Sequence, residues 1–206
     1  MSEDSSGISI TVLLSAGRLP LDIMEKAHEL ARKYKFGIYF SLAQNLRLIN
    51  VPQKSAHTVR GELAALGAEF KGPNRFPLPR TCIGKPHCNL GVVDTEALNR
   101  KILDRFGDMQ NVKAKFKISI AGCPMGCSWT QGTDISVMAT RSGYNVYTGG
   151  KGGMFPRAGR RIATKASEEE VLDIMDTLIT FHDRKTKTKS KFYQLLKDPD
   201  FPFPEV

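Results

Sequence analysis

The chain has 206 residues, 41% hydrophobic and 25% charged, enough for a real core in one domain or two small ones. No apolar run approaches the roughly 20 residues needed to cross a bilayer, and the polar start MSEDSSGIS lacks a signal-peptide core, so a cytoplasmic location is expected. The net charge of +9 requires an anionic counterpart, but it fits a small anion or an acidic cofactor as well as nucleic acid.

In chain order, 8-ISITVLL-14 is a compact β-branched run that reads as a buried strand. Pro20 suits the first turn of a helix running to about Tyr34, with Ile23, Ala27, Leu30, Ala31 and Tyr34 on one face. Two strands, 38–42 and 46–51, are then separated by a turn at Gln44–Asn45. A helix over about 54–66 places Val59, Leu63 and Leu66 together, with Gly67 as its C-terminal cap. Residues 68–71 can return as a strand. The order β-α-β-β-α-β over residues 1–71 predicts a ferredoxin-like half-domain.

The stretch 72-GPNRFPLPRT-81 is rich in proline and marks a boundary, so residues 72–206 form the second expected domain. There Asp94 or Thr95 can cap a helix to about Phe106, and a strand is expected at 115–120. Strands at 134–140 and 144–148 follow, joined by a turn at Ser142–Gly143. A glycine-rich loop, 149-GGKGGMFPRAGR-160, precedes the box Ser167-x-x-Glu170, which caps a helix through about Phe181. A short helix over about 190–197 closes the chain. The fold class expected is α+β.

All four cysteines lie in 80-RTCIGKPHCN-89 and 122-GCPMGCSW-129, with spacings C-x5-C and C-x3-C. Disulfides suit a secreted chain, and this one has no export signal. Structural zinc usually closes with tighter C-x2–4-C knuckles. An iron–sulfur cluster takes four thiolates, which two separated loops can supply. Gly84, Gly122 and Gly126 let the backbone approach a bulky inorganic core, and Pro86 and Pro124 stiffen the loops. Basic residues accompany the motifs: Arg75, Arg80, Lys85, Lys113, Lys115 and Lys117. Trp129 and Met125 read as packing, and His87 as a surface or supporting residue.

C-x5-C followed by G-C-P-x-x-C resembles the sirohaem-containing sulfite and nitrite reductases. The likeness extends to Lys115-Phe116-Lys117 before the second pair, Arg80 before the first, 143-GYNVYTGG-150 downstream and the Gln44-Asn45-Leu46-Arg47 strand upstream. In size the chain is similar to the small single-unit sulfite reductases. The resemblance implies a sulfite-reductase-type α/β domain after the ferredoxin-like half. It also implies a [4Fe–4S] cluster on Cys82, Cys88, Cys123 and Cys127, with Cys127 bridging to the iron of a sirohaem. By the same token Arg80, Lys115 and Lys117 would serve the distal substrate. Gln44, Arg47, Arg75, Thr81, Lys85, Gly149, Gly150, Lys151 and Arg157 would hold the macrocycle.

The implied activity is reduction of a small anion, sulfite in first place and nitrite in second. No flavin or nicotinamide motif is present, so an external donor such as a ferredoxin or a reductase subunit is implied. The large family members carry two copies of this unit, so some cofactor contacts here would come from this chain alone or from a second copy in a homo-oligomer. The chain also departs from the pattern at Ala43, where that strand usually carries arginine, and at 11-TVLL-14. Two alternatives stay open: a non-catalytic electron-transfer or sirohaem-carrying protein, and a zinc-stapled nucleic-acid-binding module. Membrane association is not expected, and nucleic acid is the less favoured partner.

Overall fold

The computed structural model describes residues 7–73, 75–110, 116–185 and 191–206. The chain divides into two compact units, Met1–Gly72 and Pro73–Val206.

The first unit runs β1 (Ile8–Leu13), α1 (Leu21–Tyr34), β2 (Gly37–Phe40), β3 (Leu46–Val51), α2 (Ala56–Ala64) and β4 (Glu69–Phe70). Its sheet has the order β2-β3-β1-β4 with every neighbouring pair antiparallel, which is the ferredoxin-like arrangement. Alternation along β1 and β3 sends Ile10, Val12, Leu46 and Leu48 into one core with Ile23, Ala27 and Leu30 of α1 and Val59 and Leu63 of α2. α2 is shorter than its periodicity predicts. Residues Gln53–Ser55 form a 3-10 turn before it, and the chain leaves the helix two residues before Leu66, turning at Gly67 with φ +82°. The turn between β2 and β3 closes with the Gln44 N–H on the Ser41 carbonyl at 2.8 Å.

The second unit runs β5 (Arg80–Thr81), α3 (Thr95–Phe106), β6 (Ile118–Ala121), β7 (Ile135–Thr140), β8 (Gly143–Thr148), β9 (Arg160–Ala166), α4 (Glu168–Lys185) and α5 (Phe192–Leu195). Its strand order is β5-β6-β7-β8-β9. β5, β6 and β7 are mutually parallel, whereas β8 and β9 join antiparallel. The interior strand β6 is buried at all four positions, as a parallel strand covered on both faces should be. Leu98, Ile102 and Phe106 of α3 and Val171, Met175 and Leu178 of α4 share one core with Ile118, Ile120, Ile135, Val137 and Val146. Each such fully buried aliphatic side chain contributes about 1.5–3 kcal/mol.

Two strands here were not expected. β5 lies inside the proline-rich boundary stretch, and β9 follows the glycine-rich loop. The capping box at α4 forms as expected, with the Glu170 N–H on Ser167 Oγ at 3.2 Å and the Ser167 N–H on Glu170 Oε2 at 2.7 Å. Among the described residues no helix is long and apolar enough to cross a membrane.

Candidate metal centre

The parallel topology of the second unit brings the two cysteine motifs together. Arg80 and Thr81 pair with Ser119 and Ile120, and the Cys82 N–H extends the ladder to the Ile120 carbonyl at 3.1 Å. The first motif therefore starts where β5 stops, and the second starts two residues past β6. Loops at the carboxyl ends of adjacent parallel strands are the usual ligand-binding edge of such a sheet.

Contact between the loops is close. The Gly122 N–H donates to Cys82 Sγ at 3.1 Å, and the Val92 N–H donates to the Gly122 carbonyl at 2.8 Å. A Cβ on Gly122 would lie 3.0 Å from Thr95 Cγ2 and 3.1 Å from Gly84 Cα. Gly84 has φ +57°, and a Cβ there would meet Thr95 Oγ1 at 2.5 Å. Gly84 leaves no space for a side chain, and at Gly122 one would fit only if its neighbours gave way by a few tenths of an ångström.

The N-terminus of α3 is part of the same cradle. Of the two expected caps, Asp94 is the one used, accepting the N–H groups of Glu96 and Ala97 at 2.9 and 3.0 Å. Thr95 is thereby released to donate its hydroxyl to the Cys82 carbonyl at 2.6 Å. The N-terminus of α3 thus lies against the first cysteine loop. Exposed pairs from Lys101 to Glu168 and from Arg105 to Asp173 tie α3 to α4.

The second motif turns at Gly126, φ +64°, whose N–H reaches the Cys123 carbonyl at 3.3 Å. Cys123 is buried, Cys82 and Cys88 are half-buried, Cys127 is exposed, and all four thiols are free. Ser128 Oγ and Thr130 Oγ1, just beyond Cys127, are buried without a hydrogen-bond partner among the described residues. A buried hydroxyl chain, Ser119 to Thr133 at 2.9 Å and Thr133 to Ser136 at 2.8 Å, anchors the end of the loop, where the Gln131 N–H reaches Ser136 Oγ.

Among the described residues no three His, Cys, Asp or Glu side chains converge closely enough to hold one metal ion. A cubane asks for something different, one thiolate at each of four corners around a volume. Four free thiols on two glycine-lined loops, with an N–H aimed at one sulfur and orphaned hydroxyls beside another, fit that demand.

The expected cations are placed as follows. The Arg80 guanidinium stands 5.9 Å from the centre of the Trp129 ring, and partial burial lowers its pKa. Thr81 is buried on β5, and Lys85 is exposed in the first cysteine loop. Lys117 is exposed just before β6, its N–H bound to Asp134 Oδ2 at 2.9 Å. Lys115 lies outside the described residues, as does Lys113. Lys151 and Arg157 exchange main-chain hydrogen bonds of 2.9 and 2.7 Å, which makes the glycine-rich loop a small hairpin. Both cations face the ring of Tyr193 on α5, at 5.3 and 5.8 Å. Gly149, φ +72°, has no room for a Cβ against Leu196, nor has Gly150 against the Gln131 carbonyl.

Arg75 bridges to Gln110, beyond the far end of α3 from the cysteines. In the first unit, Arg47 on β3 stands in register with Thr11 and Tyr39, the row that alternates away from the core residues Leu46 and Leu48. Gln44 has φ +61° in the β2–β3 turn.

Two residues outside the expected set prove central. Thr95 was legible only as a possible cap. Asp134 offered no signal beyond opening a strand, yet burial pushes its carboxyl up to about 6, against the lowering effect of the Lys117 N–H and ammonium and of the Phe192 N–H. Its carbonyl accepts the Gly149 N–H and the Thr148 hydroxyl, both at 2.9 Å.

Residues 78–201 match the model of the nitrite and sulphite reductase 4Fe-4S domain. An assimilatory-type sulfite reductase of Nitratidesulfovibrio vulgaris is 23% identical over 184 residues, 88% of this chain and 83% of that protein. The nitrite reductase (NADH) large subunit of Escherichia coli is 31% identical over 165 residues, 77% of this chain and 19% of that protein. The nitrite reductase [NAD(P)H] large subunit of Klebsiella oxytoca is 28% identical over 178 residues, 85% of this chain and 18% of that protein. The chain thus spans less than about a fifth of the length of these nitrite reductases.

In fold it is similar to the NirA protein of Mycobacterium tuberculosis, with a TM-score of 0.73 at 20% identity over 91% of this chain and 37% of that one. Dissimilatory sulfite reductase I gives 0.74 at 11% identity over 92% of this chain and 66% of that one. The matched segment takes in both cysteine loops, the glycine-rich hairpin and the helices behind them, and the chain belongs to the nitrite and sulphite reductase 4Fe-4S domain family.

Proposed function

We propose that the chain is a sirohaem- and [4Fe–4S]-dependent oxidoreductase that reduces sulfite to sulfide, with nitrite as the alternative substrate. The observation that carries this reading is the Gly122–Cys82 junction, where two cysteine motifs meet at adjacent strand ends with Arg80 immediately before the first. Cys82, Cys88, Cys123 and Cys127 would hold the cluster. The exposure of Cys127, against the burial of Cys123, suits a thiolate shared with a second group. When bound, the cofactors would supply single electrons and an iron at which the oxyanion is reduced.

The chain's own residues then have separable tasks. Gly122 N–H, the α3 N-terminus and Thr95 hold the first thiolate and its loop in place. Arg80, Lys115 and Lys117 bind the anion by charge-assisted hydrogen bonds. A lysine ammonium can also hand a proton to a departing oxygen, whereas the guanidinium keeps its proton and fixes orientation. Thr81, Lys85, Gly149, Gly150, Lys151 and Arg157 would serve the acidic rim of the macrocycle, and the family pattern would give Gln44, Arg47 and the more distant Arg75 the same role. Electrons would come from a separate donor, a ferredoxin or a reductase subunit, with the cytoplasm as the working compartment.

Sulfite stands first because the relative of comparable length is named a sulfite reductase. Nitrite is retained because a nitrite reductase shares 31% identity. Protein purified without oxygen should show sirohaem bands with a broad cluster shoulder and turn over one or both anions with a reduced dye. A coloured protein inert toward both would be a carrier, and a colourless zinc protein would overturn the cofactor assignment as well.

A further inference from the structure

Asp134 is a half-buried carboxylate that the cluster and anion roles above leave without a task. It opens β7, beside the lead into β6, and its two ends reach different parts of the second unit. The carboxylate accepts the Lys117 N–H at 2.9 Å, and the main chain of Phe192 at the start of α5 is close enough to lower its pKa. The carbonyl accepts the Gly149 N–H and the Thr148 hydroxyl, each at 2.9 Å. α5 in turn carries Tyr193, whose ring receives Lys151 and Arg157, and Leu196, which packs on Gly149, lies just beyond it.

We propose that Asp134 is a positioning residue for the reaction, holding the Lys117 main chain with its carboxylate and the start of the glycine-rich hairpin with its carbonyl. One residue thereby sets the distance between the cation before the second cysteine motif and the hairpin that carries two more. Burying a carboxylate costs stability unless something is gained from it. The Lys117 N–H held at 2.9 Å, with the favourable field of the Lys117 ammonium, is such a gain. An exposed lysine on a free strand lead would sample many positions, whereas a main chain pinned at the preceding register limits that search. The proposal rests on the oxyanion role proposed for Lys117.

Asp134→Asn tests it in the holoprotein. The amide keeps the shape but has one acceptor oxygen in place of two and no charge, so the hold on the Lys117 N–H weakens. With an unchanged cofactor spectrum, dye-linked kcat/KM for sulfite or nitrite should fall about tenfold. The same change made in Lys117→Ala should have no further effect, because the two act as one unit. Equal losses in both backgrounds, or an unchanged rate in the single variant, would overturn the proposal.

Hydrogen exchange over residues 116–119, read by mass spectrometry, does not depend on turnover. Asp134→Asn should speed exchange there about tenfold while leaving β7 unchanged. Unaltered exchange would refute the link to Lys117 even in an active enzyme. Faster exchange in a protein that reduces neither anion would instead place the failure in the functional reading.

Discussion

The Gly122 N–H points at the Cys82 sulfur from 3.1 Å, although the two residues are forty positions apart in sequence. That contact is the seam between the cysteine loops. The space at Gly122 is tight, since a Cβ would press on both Thr95 and Gly84. Gly122→Ala should therefore push the loops apart at a cost of about 1–3 kcal/mol. The expected outcome is a folded protein with less than about half the wild-type iron and acid-labile sulfide, as measured by metal and sulfide analysis.

Thr95 offers a gentler probe of the same seam. Thr95→Val preserves shape and removes the donor to the Cys82 carbonyl, leaving an acceptor unmet for about 1 kcal/mol. Cluster loss in air, followed by decay of the cluster absorption, should quicken. Thr95→Ser should restore the slower decay, and equal rates for the two variants would show that only packing matters there.

Cys127→Ser separates the exposed thiolate from the other three. Loss of the coupled sirohaem–cluster absorption is expected, together with loss of dye-linked reduction. A normal coupled spectrum in this variant would remove Cys127 from the ligand set.

Asp134 makes a pH prediction with a definite sign. Its folded pKa of about 6 lies above the ordinary carboxylate value of 3.8. The native state therefore binds the extra proton more readily than the unfolded chain. Stability from this group is fully present below about pH 4 and is lost as pH rises to about 6, an effect of order 2–3 kcal/mol. Urea unfolding between pH 4 and 7 should show that decline, and Asp134→Asn should flatten it.

Much of the scaffold was legible because its signals are local. The box Ser167 to Glu170 caps α4 as written, and the apolar spacing of α1 and α3 survives in their buried faces. The two missed strands have no such signal. β5 is two residues that become a strand only by pairing with β6, and β9 mixes arginine and lysine into a run whose extended form depends on the edge of β8. α2 loses a turn to Gln53–Ser55 for a similar reason, since periodicity says nothing of how the chain enters a helix.

The sequence by itself determined that four thiols lie on two glycine-bearing loops among cations, because residue type and spacing are local properties. Only the tertiary structure decided which atoms meet. Parallel pairing of β5 with β6 sets Gly122 against Cys82. Capping by Asp94 turns Thr95 toward the first cysteine loop, and the start of β7 brings the Asp134 carboxylate to the Lys117 N–H. These links join residues far apart in the chain, and a hydrogen bond between them exists only once the core has brought their strands into register.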